Sequence, residues 1–316
     1  MSIGRRALVA LLLAGGFALL APPSHAQGIG AVGFGNTGPN DHRPLDIEAN
    51  DGIEWQQNNE VYIARGNAKA TRGTATVYAD VLTAHYRPAA QAGSAPKPQD
   101  ASASTGSTEI YRVEAEGNVR LVTETQTIYG DHAVYDVDRA TAVVTGQHLR
   151  LVTTRDTVTA RDSLEWYDEK QIGVARGDAV AIQDAKRLAG DVLVAQVVKP
   201  PNEASRISRI DAQGHVLVST INEIARGASG VYNVDTGIAT LAGGVTITRG
   251  DNELRGQYGV VDMNKNVSRL LSALPGGAQA APVQAIIAPR KAEDGAGGAG
   301  KKGKTAPGDG ATGATQ

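Results

Sequence analysis

The sequence predicts an all-β protein built from antiparallel hairpins that repeat about every thirty residues. Three observations carry that prediction. Alternating apolar and polar residues fill most of 45–271, glycines return at regular separations along it, and no long stretch of helical periodicity follows the N-terminal segment. Composition agrees: 38 glycines and only 4% aromatic residues suit many strands and turns around modest side chains.

The chain opens on a targeting segment. Arg5 and Arg6 precede an apolar run from Ala7 to Ala21, Pro22 and Pro23 break it, and Ser24-His25-Ala26 forms a small-x-small cleavage site. The run is shorter than the roughly 20 residues that span a bilayer. Residues 1–26 therefore read as a cleavable signal, and the expected product is soluble and periplasmic or secreted, with the periplasm preferred. An uncleaved anchor is the alternative. The glycine-rich, unpatterned residues 27–44 read as a flexible linker. The chain has no cysteine, which excludes disulfides, thiolate metal sites, cysteine nucleophiles and a lipidated cysteine at the processing site. A net charge of −2 gives no clustered basic face for nucleic acid.

The repeat occupies 45–271. Gly66, Gly117, Gly146, Gly177, Gly214 and Gly243 mark successive first strands, and a second small residue follows each after about thirteen positions: Ala79, Gly130, Ala160, Gly190, Gly227 and Gly256. Each unit thus holds two strands. A low-complexity stretch, 88–108, interrupts the pattern as a long surface loop. Residues 272–316, rich in Gly, Ala, Lys and Pro, have too little apolar surface to offset chain entropy and are expected to be disordered.

Residues two apart on a strand share a face. Aligned on the small residues, the units place Val119, Leu121, Tyr135, Leu149, Leu151, Leu164, Trp166, Leu193, Val216, Val218, Tyr232, Val245, Ile247 and Val261 on the inward face. They are the candidate lining of an apolar interior. In the unit at Gly177, either Ala179 and Ala181 or Val180 and Ile182 point inward. Lys69, Arg72, Arg120 and Arg150 read first as solvated strand faces and otherwise as a phosphate-binding rim.

Several motifs imitate chemistry without its context. Gly28-Ile29-Gly30-Ala31-Val32-Gly33 has the spacing of a dinucleotide loop but lacks a strand before it and a helix after it. Gly295 to Lys302 imitates a phosphate loop but has Lys302 where a hydroxyl residue belongs. The acidic groups at Asp136/Asp138, Asp168/Glu169, Asp235 and Asp262/Asn264 recur at one place in each unit, just after the second strand. There Asp and Asn make turns by bonding their own backbone and tolerating left-handed geometry. His42, His85, His132, His148 and His215 show no metal-ligand spacing, and no serine nucleophile elbow occurs. The expectation is no catalytic residue, no metal and no cofactor.

Ala115-Glu116-Gly117-Asn118-Val119, continued by Ile128-Tyr129-Gly130-Asp131 and closed by Ala133, Tyr135 and Asp136, resembles the repeat of the OstA-like family of lipopolysaccharide-export proteins. Pro44 to Ala70 resembles that family's opening strands, and the similarity covers 45–271. The resemblance implies a twisted, open antiparallel β-jellyroll whose apolar groove receives the acyl chains of lipid A. It also implies partners: the periplasmic subunit of an inner-membrane transporter, the jellyroll domain of an outer-membrane translocon, and a further copy joined head to tail. No active site is implied. Two other readings stay open. The chain could be the inner-membrane-anchored jellyroll subunit of the same system, or a β-helix enzyme or adhesin acting on polysaccharide.

Overall fold

The computed structural model describes residues 45–88, 108–200, 205–273 and 282–288. The signal segment 1–26, the linker 27–44, nearly all of the loop 88–108 and most of the tail lie outside them. The described residues form eighteen strands: β1 (Asp46–Glu48), β2 (Gly52–Gln56), β3 (Val61–Arg72), β4 (Ala75–Pro88), β5 (Thr108–Val122), β6 (Gln126–Asp136), β7 (Thr141–Thr145), β8 (Leu149–Thr153), β9 (Asp156–Ala160), β10 (Ser163–Tyr167), β11 (Ile172–Gln183), β12 (Lys186–Val198), β13 (Arg206–Ser219), β14 (Ile224–Asn233), β15 (Ile238–Arg249), β16 (Asn252–Asp262), β17 (Val267–Leu271) and β18 (Gln284–Ile286). A single 3-10 turn, Gln57–Asn59, joins β2 to β3.

All pairings are antiparallel, and each long strand pairs with the next rung in sequence. A β-helix would need parallel ladders, so that alternative is excluded. β3 to β6 and β11 to β16 are unbroken. The other four rungs are each shared by two short strands: β1 and β2 both pair with β3, β7 and β8 both pair with β6, β9 and β10 both pair with β11, and β17 and β18 both pair with β16.

A β-bulge recurs in the middle of the strands. Register shifts fall between Arg65 and Ala68, Glu116 and Val119, Arg176 and Ala179, Gln213 and Val216, and Ala242 and Val245. These gaps hold the repeat glycine and the residue after it, both left-handed: Gly117 at φ 77° and Asn118 at φ 48°, Gly214 at φ 71° and His215 at φ 47°. Such bulges bend a strand and sharpen its twist. Repeated rung after rung, they crease the sheet, so that each long strand contributes its first half to one layer and its second half to the other.

Each layer turns apolar rows toward the other. One row runs across the first layer through Ile53, Ala64, Leu82, Ala115, Ala133, Val144 and Leu164, and on through Ala175, Leu193, Ala212, Gly230, Leu241 and Gly259 to Leu270. The facing layer carries Ile47, Ala70, Val77, Leu121, Ile128, Leu151 and Val158, then Ala181, Leu188, Val218, Ala225, Ile247 and Leu254 to Ala285. No polar side chain interrupts either row. Small residues are interspersed among large ones along the rows, and the layers pack into one continuous core.

The turns follow the expected chemistry with one refinement. Asp136, Asn233 and Asp262 each accept a backbone N–H from three residues ahead, at 2.9, 2.9 and 3.0 Å. The left-handed position is the one after these bonds, occupied by Ala140, Gln171, Gly237 and Asn266 and not by the acids. Within the tail, Gln284–Ile286 forms β18 because the first half of β16, beyond the reach of β17, presents an unpaired edge that backbone hydrogen bonds can satisfy without apolar burial.

Candidate functional site

The inward positions read from the sequence all lie in the shared core. Thirteen of the fourteen candidates are buried, and Tyr232 is half-buried against them. In the unit left open, Ala179 is buried and Ala181 packs against the core, whereas Ile182 is 43% exposed. Ala179 and Ala181 are therefore the inward pair.

Between the layers, over the second half of the ladder, lies an apolar cavity of about 180 Å³. Leu151, Val158, Ala181, Leu188 and Val218 line it from one layer, and Leu164, Trp166, Ala175, Leu193, Ala195 and Tyr232 from the other. Of the fourteen candidates, Leu151, Leu164, Trp166, Leu193, Val218 and Tyr232 border it; the remaining eight pack elsewhere in the core. The cavity exists because small residues stand opposite each other there: Gly173, Ala175, Ala181 and Ala195 leave space that Ile128, Tyr135 and Leu149 fill in the first half. Desolvation in this apolar setting raises the Tyr232 phenol above its ordinary value.

The cavity reaches the free margin of the folded sheet, where the hairpin turns of the two layers face each other. Polar residues form the lips. Asp156 Oδ1 accepts from Gln183 Nε2 at 2.7 Å, and both border the opening. Farther along, the carboxylate of Glu223, buried beside the β13–β14 turn, accepts from Arg249 Nη2 at 2.7 Å and from Ser268 Oγ at 2.8 Å. Glu223 and Ser268 sit on opposite lips, so the bond clasps the margin near the last rungs. The alternation reading gave no hint of it. A carboxylate in a hairpin turn resembles any solvated turn acid, and Ser268 simply breaks an apolar row.

A ladder of carboxylates along the crease also escaped the sequence reading. A Cβ on Gly66, Gly117, Gly177 or Gly214 would fall within 3.0 Å of the carboxylate of Asp51, Asp80, Asp162 or Asp191 respectively. Asn118 Nδ2 donates to Asp80 at 2.8 Å, and His215 Nδ1 lies 3.0 Å from Asp191. The sequence signal was an aspartate one or two residues past Ala79, Ala160 and Gly190.

Of the rim candidates, Lys69, Arg120 and Arg150 lie on the outer face of the sheet, because each alternates with an inward residue. Arg120 stacks over Tyr78 at 4.3 Å and Arg150 over Tyr129 at 4.6 Å, while Lys69 pairs with Glu48 at 3.2 Å. On that same outer side Glu114, Glu116 and His132 bring ligand atoms within 4.8 Å of one another. Arg112 Nε, 2.6 Å from Glu114, already supplies a cation there.

Comparison with known proteins gives two successive matches to one family, described as LptA/(LptD N-terminal domain) LPS transport protein, over residues 46–162 and 157–267. The chain belongs to this family of lipopolysaccharide transport proteins. Its two matches meet over residues 157–162, in β9 and the turn after it, so the ladder holds two matching segments in tandem. Among solved structures, the chain is similar to LptH of Pseudomonas aeruginosa, the LptA-homologous periplasmic component of its lipopolysaccharide transport device. Identity is 22% and the TM-score 0.37, over 42% of this chain and 95% of that one. No curated protein matches.

Proposed function

We propose that this family member is a periplasmic carrier that shelters the acyl chains of lipopolysaccharide between its layers and links inner- and outer-membrane parts of the export machinery. The unbroken apolar rows carry this reading. Each methylene removed from water contributes about 0.8 kcal/mol, so a lipid with several long chains does not cross an aqueous compartment unshielded. Binding sites for small ligands run to about 300–1,000 Å³. The present cavity is smaller, so loading requires the lips to part and the layers to separate. Strand edges at both ends supply the links by strand addition. No helix among the described residues is long and apolar enough to cross a membrane.

A photo-reactive side chain at Tyr232 or Met263, both bordering the cavity, is expected to capture lipopolysaccharide in cells. The same group at outward Tyr129 should capture none. Equal capture at all three positions, or none at the inward pair, would remove the carrier reading.

A further inference from the structure

The apolar cavity has a neighbour on the lip. This second cavity, of about 190 Å³, is bordered by the apolar Ala185, Ile221 and Val261 and, at its polar end, by Thr220, Asn222 and Arg249. Lys186 and Met263 border both, so the two spaces are contiguous. The acids near the junction are already engaged: Asp156 by Gln183, Asp184 by Arg155 at 3.4 Å, Glu223 by Arg249 and Ser268, and Asp262 by Lys265 at 3.2 Å. Lys186 is exposed, pairs across the ladder with Gln183, and has no carboxylate or hydrogen-bond partner among the described residues. Apolar space that opens on a lip of polar side chains, with an unneutralised cation at the opening, matches one ligand class: an amphiphile with an anionic head.

We infer that the lip at the start of β12 is the head-group subsite of the second unit, with Lys186 binding an anionic group of a lipid whose chains enter the adjoining apolar cavity. The assignment rests on the carrier reading and adds where, and by which residue, the head is held. Lys186 lies outside the apolar core, so changing its charge leaves the packing intact.

The test measures binding of phosphorylated and dephosphorylated lipid A to the full chain. Lys186→Glu should weaken binding of the phosphorylated form at least about tenfold, the scale of one charge-assisted hydrogen bond, and leave the dephosphorylated form unchanged. Lys186→Arg should restore the affinity, and Arg120→Glu, on the outer face, should alter neither. If the wild-type chain binds neither lipid, the carrier reading fails. If it binds both and Lys186→Glu changes neither, or weakens both alike, the carrier reading stands and the head-group assignment is overturned.

Discussion

A glycine in this fold is kept for one of two physical reasons, and substitutions separate them. At Gly214 (φ 71°) an added Cβ meets backbone strain and also the Asp191 carboxylate; at Gly244, also at φ 71°, no atom lies within 4 Å of the added group. Left-handed geometry alone costs an L residue about 1–2 kcal/mol. Gly244→Ala should therefore lose about that much in urea unfolding, and Gly214→Ala measurably more, since Asp191 must also move. Equal losses would show that the carboxylate yields freely. The neighbouring His215 adds a pH dependence. Its hydrogen bond to Asp191 raises the imidazole above 6.5, so the protonated form is favoured in the folded chain. The pair's contribution is then fully present below about pH 6.5 and is lost as pH rises through the raised value. His215→Asn, which keeps a residue suited to the left-handed bulge, should lower the melting temperature at pH 5.5 more than at pH 8.5. An unchanged difference between those pH values would rule the pair out as a contributor.

At the scale of elements, the strands and the inward face were legible because period-two alternation is a local signal, and thirty-residue spacing set the register of one hairpin on the next. Leu164, Trp166 and Leu193 were found that way. Invisible were features made by residues far apart in the chain. Ser268 meets Glu223 from 45 positions away, and the cavity depends on which small residues face each other across the layers. β18 was missed because its stability derives from a waiting edge more than from its own side chains. The clasp makes a definite prediction. Glu223→Ala leaves Ser268 and Arg249 without their acceptor at a buried site, which should cost about 1–3 kcal/mol, and it frees the lips. Spin labels at exposed Ile221 and Asn266 should report a longer, broader distance in the variant than in the wild type; an unchanged distribution would mean that packing, not the clasp, holds the margin.

At the scale of the molecule, the ten unbroken strands and four shared rungs, fourteen rungs in all, at about 4.8 Å each give a ladder about 60 Å long with two different free ends. β1 and β2 pair only with β3, and β17 and β18 only with β16. Both ends carry exposed apolar side chains: Ile53 at 52% and Trp55 at 56% on the first rung, Ile286 at 55% and Val267 at 43% on the last. Unlike ends that fit each other generate an open series of species, whereas a self-complementary end stops at a dimer. A charge on an edge strand blocks pairing at that edge alone. Ile53→Lys should therefore leave a chain able to associate only through its last rung, and Ile286→Lys one able to associate only through its first. Each variant alone should sediment as a monomer at concentrations where the wild type forms a ladder of sizes, and an equal mixture should give a dimer and nothing larger. A dimer formed by either variant alone would show that like ends pair, and the head-to-tail arrangement would be wrong. Growth beyond a dimer in the mixture would show that association does not run through the edge strands.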